Sequence, residues 1–361
     1  MNSSQGYGFV LVDRADVTPR DKAPCVREDV VRMFAEAMQP MTPPGVCRKN
    51  DDDDDDAGTR TTRRLRAPLD GCIVRCVVSE EECAALRDAA MHAGYSFWSS
   101  DGRQDVDVDV DGRGDDTKAA AAAAAAETPT AKKRGMAFRN ADTVEVHCRE
   151  IANALWERLK AYVPERVVID DTHALMEPGC GGTWTACGVN EHLLFNRYDA
   201  RGHFSPHTDG ATVCDFNCRS LYSVLVYLND CDEGGETSMF APPAEAERNT
   251  FLVDEDERYR WPREWIVDAA PVERGSVLIF RQDIPHEGAP VGANHEKLLI
   301  RTDIMYRREP PLFDDDVGAR AYALHRDAMA AEADGDAMRA MRLFRHCARL
   351  CPQYAELVGI Q

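Results

Sequence analysis

The 361-residue sequence has no excess of positive charge, no long apolar run and no Cys-x-x-Cys pair. Lysine and arginine number 43 against 63 aspartates and glutamates, a net charge of −20. A chain of that sign is repelled by phosphate backbones, which disfavours nucleic acid as a partner. Two acidic blocks, the unbroken run Asp51 to Asp56 and the stretch Asp101 to Asp116, supply part of that charge as self-repelling, solvated segments. No window approaches the ~20 apolar residues of a membrane span, so no membrane segment is expected. The N-terminal MNSSQGYGFVLVDRADV has no charged stretch followed by an apolar one, so no secretory signal is read there. Thirteen cysteines are present, an odd number at scattered positions. Cys72/Cys76, Cys214/Cys218 and Cys347/Cys351 are four apart, which suits helix or strand neighbours better than a zinc knuckle. The simplest expectation is buried apolar thiols in a reduced intracellular compartment, the cytoplasm first and the nucleus second.

What is present divides the chain unevenly. Residues 1–64 are expected to be a peripheral, partly disordered segment, with helical periodicity only from Arg27 to Met38. The main domain is expected over residues 65–310. It starts with a strand in LDGCIVRCVV and a helix from Ser79 to Gly94, opened by Ser79 and Glu82 in capping-box spacing. Residues 101–134 are a low-complexity surface insertion. There Asp107, Asp109, Asp111 and Gly112 imitate half of a calcium loop, but Lys118 stands where its twelfth position needs Glu. From Glu145 to Tyr162 the apolar residues trace one helical face. Thereafter HLLFNRYDA, SLYSVLVYLN, SVLIF and KLLIRTDIMY are short strands separated by Gly, Pro and Asp. Helices followed by strands predict a mainly β sandwich or barrel with flanking helices. Residues 311–361 are expected to be a helical extension. Its GDAMRAMRLFRHCARLCPQYAELVG resembles one tetratricopeptide repeat, too few to make a solenoid.

The chemistry concentrates in HFSPHTDG. Residues two apart on an extended strand point to the same side, so His207 and Asp209 converge on one point. His286, in FRQDIPHEGAP just after the strand SVLIF, is placed to return as a third ligand. Two imidazoles and one carboxylate on one face leave three octahedral positions open, which suits Fe(II) binding a chelating cosubstrate and O₂. His192, His203 and His295 have no Asp two residues on.

Taken in order, Tyr198, His207-x-Asp209, RSLYSVLVYLND, EGGET, GSVLIF, PHEG and KLLIRTDIMY resemble the double-stranded β-helix (jelly roll) of the Fe(II)/2-oxoglutarate-dependent dioxygenase superfamily, in its prolyl 4-hydroxylase-like branch. The resemblance spans about residues 188–307, and the upstream FRNADTVEV is similar to the segment before that core. It implies Fe(II), with 2-oxoglutarate and O₂ as cosubstrates and ascorbate as an auxiliary reductant. It also implies hydroxylation of a substrate C–H with release of succinate and CO₂, and no catalytic side chain beyond the metal ligands. A cation after the second ligand histidine would hold the distal carboxylate of 2-oxoglutarate. Lys297 is the usual position in the hydroxylases, whereas Arg301, with Asp303 and Arg307, is similar to the demethylase branch. Both stay open, with a slight preference for the two-pronged Arg301. Tyr198 and Tyr227 are the matching hydroxyl helpers. A protein or peptide side chain, proline first, is the expected substrate. The alternatives are a nucleic-acid demethylase of the same superfamily, a non-catalytic β-barrel binding module with the C-terminal helices as its docking surface, and a zinc hydrolase, which would leave the downstream cation without a role.

Overall fold

The computed structural model describes residues 28–38, 61–98, 138–244, 251–254 and 258–360. The Asp51–Asp56 run and the 101–134 insertion with its calcium-loop mimic lie outside the described residues.

Eight short antiparallel strands form two four-strand layers. One layer runs Val277–Arg281, Cys218–Tyr227, Lys297–Glu309, His192–Tyr198. The other runs His203–His207, His286–Gly288, Thr237–Phe240, Ile266–Ala270. Followed along the chain, the strands pass back and forth between the layers, and this makes the expected jelly roll. The strand Arg139–His147 joins the two layers, pairing His147 through Asp142 with one and Asn140 and Arg139 with the other.

Each strand of the first layer has two buried faces. In Cys218–Tyr227 all ten residues are buried. Val224 and Val226 pack toward the helices, while Leu225 and Tyr227 join Tyr198, Leu299, Phe280 and Met239 in a second cluster inside the barrel. Double burial explains why Val224 to Leu228 is an unbroken apolar run rather than an alternating one.

Three helices cover the outer side of this layer. Glu80–Ala93 begins with the predicted reciprocal cap: the Glu82 amide donates to Ser79 Oγ, and the Ser79 amide donates to the Glu82 carboxylate. Arg149–Leu159 is shorter than its periodicity suggested. Glu145, Val146 and His147 belong to a strand instead, because Val146 pairs with Leu193 and its neighbours continue that ladder. Tertiary pairing here overrides a helical pattern that the strand's own apolar residues happen to share. The third helix, Glu28–Ala37, falls within residues 1–64. Phe34 is fully buried, its ring 4.8 Å from that of Phe195, so this helix belongs to the core.

The C-terminal helices Asp316–Ala333, Ala337–Leu350 and Pro352–Leu357 enclose a small core of Ala321, Cys347, Cys351 and Tyr354. Phe216, from the turn before the strand Cys218–Tyr227, packs against Phe313 and Tyr354 of this extension. Among the described residues no helix is long and apolar enough to cross a membrane.

Gly234 and Gly235 both take up positive φ, and at Gly234 this has a measurable consequence. Gly234 sits at φ +70°, and a Cβ there would lie 2.1 Å from the Pro290 carbonyl oxygen. Gly234→Ala is therefore expected to lower stability by about 2 kcal/mol or more, read as a reduced urea midpoint with an unchanged slope.

Candidate metal and cosubstrate site

His207 and His286 face each other as partners on adjacent antiparallel strands, and their rings lie 4.2 Å apart. Asp209, two residues past the end of His203–His207, brings its carboxylate between them: Oδ1 is 3.9 Å from His207 Nε2 and Oδ2 is 3.8 Å from His286 Nε2. One donor atom from each of the three residues falls within 4.8 Å of the other two. Among the described residues no other group of His, Cys, Asp and Glu meets that condition. His203 instead faces the Arg201 carbonyl, His192 pairs with Glu145, and His295 lies by Glu233.

The histidine tautomers follow from their neighbours. Nδ1 of His207 lies 2.8 Å from the Ser205 carbonyl, and Nδ1 of His286 lies 3.1 Å from that of Ile284. A carbonyl only accepts, so both Nδ1 atoms carry the proton and both Nε2 lone pairs point inward. Burial lowers the pKa of each imidazole, that of His207 further because His286 is beside it. Two neutral imidazoles with inward lone pairs and one carboxylate are the donor set that a divalent transition metal needs.

Asp209 is held in place by its surroundings. Ser223 donates to Oδ2 at 2.5 Å, and Arg301 reaches Oδ1 at 3.4 Å. The Phe204 ring stacks on His207 at 3.5 Å, and the Arg139 guanidinium lies over the Phe204 ring, 5.3 Å from its centroid. Ser223 could have been found from the period-two pattern that places it on the face of Leu225 and Tyr227. Arg139 carries no comparable signal, since only its pairing with Phe204 of the ligand strand brings it to the site.

Lys297 and Arg301 lie on the inward face of one strand, as their spacing predicts, but in different electrostatic settings. Arg301 already has counter-charges, with Asp303 at 3.0 Å and Asp209 at 3.4 Å. Asp303 is fully buried and accepts from Asn190, Thr212 and Gln282, which fixes it beneath that guanidinium. Lys297 is equally buried, yet among the described residues no carboxylate lies within ion-pair distance of it. Its ammonium donates to the Gly235 carbonyl at 2.5 Å and approaches Thr237 Oγ1 at 3.4 Å. The rings of Tyr198 and Tyr227 stand 5.5 and 5.6 Å from it, and Tyr227 shares a 2.8 Å hydrogen bond with Thr237. Burial holds the Lys297 pKa down to about 8, with the charge of Glu236 opposing.

The family comparison points to the same region. Residues 193–302 match the family model of the 2OG-Fe(II) oxygenase superfamily. No curated protein matches the chain. Among solved structures, the chain is similar to a prolyl-4-hydroxylase from Pseudomonas putida at 15% identity and a TM-score of 0.28, over 50% of this chain and 77% of that one. It is similar to a 2OG-Fe(II) oxygenase family oxidoreductase from Burkholderia pseudomallei at 18% identity and a TM-score of 0.20, over 33% of this chain and 44% of that one. A prolyl hydroxylase from Trichoplax adhaerens, in complex with a hypoxia inducible factor peptide fragment, aligns at 17% identity and a TM-score of 0.26, over 47% of this chain and 64% of that one. The matched segment contains all three residues of the His–Asp–His cluster and both candidate cations, and the chain thus carries a 2OG-Fe(II) oxygenase domain, an oxidoreductase module that works with Fe(II), 2-oxoglutarate and O₂.

Proposed function

We propose that the whole chain is a dioxygenase that hydroxylates a protein or peptide side chain, with proline the first substrate to try, and that His207, Asp209 and His286 hold its iron. The observation that carries this reading is the convergence of the three donor atoms within 4.8 Å in a barrel that also buries a lysine with no carboxylate of the described residues within ion-pair distance. Fe(II) with 2-oxoglutarate and O₂ supplies the oxidative step, in which the keto acid leaves as succinate and CO₂ while a substrate C–H is hydroxylated. The protein's contribution is positional. The Ser205 and Ile284 carbonyls orient the two imidazoles, and Ser223 holds one oxygen of Asp209. Lys297, with Thr237 and Tyr227 beside it, is the anchor for the distal carboxylate. Arg301 takes a different role, keeping Asp209 aligned through its fixed position on Asp303. The slight sequence preference for Arg301 as anchor is thus set aside: a guanidinium neutralised by two carboxylates attracts a third poorly, whereas a buried ammonium without one gains most. The net charge of −20 supports a peptide over a nucleic acid.

Turnover tests this directly. Succinate release is expected with Fe(II), 2-oxoglutarate and proline-containing peptides, and not with methylated oligonucleotides; the reverse pattern would move the chain to the demethylase reading. A zinc hydrolase or an inert barrel would give no weak visible charge-transfer band with Fe(II) and 2-oxoglutarate in the absence of O₂.

Two further outcomes follow from the geometry. Ser223→Ala leaves one oxygen of Asp209 without its donor and is expected to weaken Fe(II) binding about 10-fold or more, measured by anaerobic titration. Affinity for 2-oxoglutarate is expected to fall as pH rises. The dianion needs the protonated amine, whose pKa is lowered by burial to about 8. The ammonium is present below that value and is lost above it, so the Kd grows by up to roughly tenfold per pH unit from about 8 upward and levels off at the higher pKa that the amine has beside the bound dianion. In Lys297→Met the same profile should be flat.

A further inference from the structure

The helix Ala337–Leu350 is opposite in sign to the chain that carries it, and the proposed oxygenase chemistry does not use it. It holds Arg339, Arg342, Arg345 and Arg349 and no aspartate or glutamate, whereas the whole chain stands at −20. At about 100° per residue the four arginines fall within an arc of about 120°. The opposite side of the helix is already occupied: Ala340 and Cys347 are buried, and Leu350 packs on the small core of the extension. All four arginines are exposed, and among the described residues none forms an ion pair. Arg349 donates from Nε to the Arg345 carbonyl at 3.2 Å, which leaves its two terminal nitrogens free of that bond.

Two methionines share this outer face, Met338 at 60% exposure and Met341 at 36%. Met338, Arg342, Arg345 and Arg349 follow one another at spacings of four, three and four, so they form one row along the helix, with Met341 on one side of it and Arg339 on the other. A helix face that only meets water gains from acids interleaved with its bases, because residues three and four apart are neighbours. Here those neighbours are like charges that repel. The row therefore costs the helix a little stability and is compensated only when carboxylates arrive from outside it.

We infer that this face docks a short acidic peptide segment of a protein partner, the arginines gripping its carboxylates and the two methionines covering an apolar residue between them. A guanidinium holds a carboxylate through two parallel hydrogen bonds, a geometry that lysine lacks. Arginine and methionine are both enriched where proteins meet, and the flexible thioether shapes itself to an apolar neighbour. The row from Met338 to Arg349 is about 16 Å long, the reach of a short segment. A nucleic-acid strand fits less well. It offers the methionines no apolar side chain, and it runs on past the helix, bringing further phosphates against an acidic chain. A segment that ends with the row avoids that contact, and at physiological ionic strength charges beyond about 8 Å are largely screened from it.

Fluorescence anisotropy of the full chain tests this with a labelled peptide that forms a helix of about 16 Å, bearing Glu at the reciprocal three-and-four spacing and one Leu to meet Met338. Saturable binding that weakens with added salt is expected. Arg342→Glu combined with Arg345→Glu should lower the affinity about tenfold or more, and Met338→Ser about threefold, since exposed contacts are individually weak. These positions are exposed, so melting curves should match that of the native chain. Absence of saturable binding overturns the inference, as do folded variants that bind like the native chain. Tighter binding of an oligonucleotide of equal charge, or of phosphatidylserine vesicles, would overturn it in favour of phosphate. Peptide binding that appears only after Asp51–Asp56 is replaced by asparagine would assign the face to the chain's own acids, and overturns it too. The measurement needs neither iron nor turnover, so its outcome is independent of the proposed oxygenase substrate.

Discussion

Lys297→Met is expected to raise the Kd for 2-oxoglutarate about 10- to 100-fold, with Fe(II) affinity nearly unchanged. The figure is that of one charge-assisted hydrogen bond, about 1.5–3 kcal/mol, converted to a binding ratio. Methionine fills the space of the lysine stem without its charge, so the barrel should stay packed. The stability of the folded chain should not suffer, because the native ammonium is buried with only a carbonyl and a hydroxyl for company. Arg301→Met is the contrast. It leaves Asp303 fully buried and negatively charged without its cation, and should cost about 3 kcal/mol of stability before any effect on cosubstrate. Isothermal titration of both variants, with melting curves alongside, separates the roles. If Lys297→Met bound 2-oxoglutarate normally and a folded Arg301 variant did not, the anchor would have to be reassigned to the guanidinium.

His286→Ala should have the larger effect. Succinate release is expected to drop by more than about 100-fold, beyond the loss typical of groups that only support a metal ligand. The fold should persist, since the imidazole makes one hydrogen bond, to Ile284, and ring contacts with Phe280 and His207. A far-ultraviolet circular dichroism spectrum like that of the native chain, together with loss of the anaerobic visible band, is the expected pair of results. Near-native turnover in that variant would remove His286 from the metal site and the proposed mechanism with it.

Several features were legible before any coordinates. Ser79 and Glu82 announce a cap because its hydrogen bonds span three residues, a distance that sequence alone defines. His207 and Asp209 could be placed on one point for the same reason: strand alternation is local. The four strands of one layer were visible as β-branched and aromatic segments, and the order of the motifs along the chain carried the resemblance that named the fold. The mismatch at Glu145–His147 shows the limit of that kind of reading. Val146 suits either a helix face or a strand, and only its partner Leu193, far along the chain, decides between them.

The choice between Lys297 and Arg301 was undecidable at that level. The two side chains occupy the same face of one strand, and spacing gives them equal claims. What separates them is which carboxylates other strands deliver: Asp209 and Asp303 to Arg301, none to Lys297 within ion-pair distance among the described residues. The sequence by itself therefore determined the cap at Ser79, the strands of one layer, the convergence of His207 with Asp209 and the broad fold. Tertiary structure alone decided which charges are already neutralised and which are left for a ligand, because electrostatic energy depends on distance through space and not on separation along the chain.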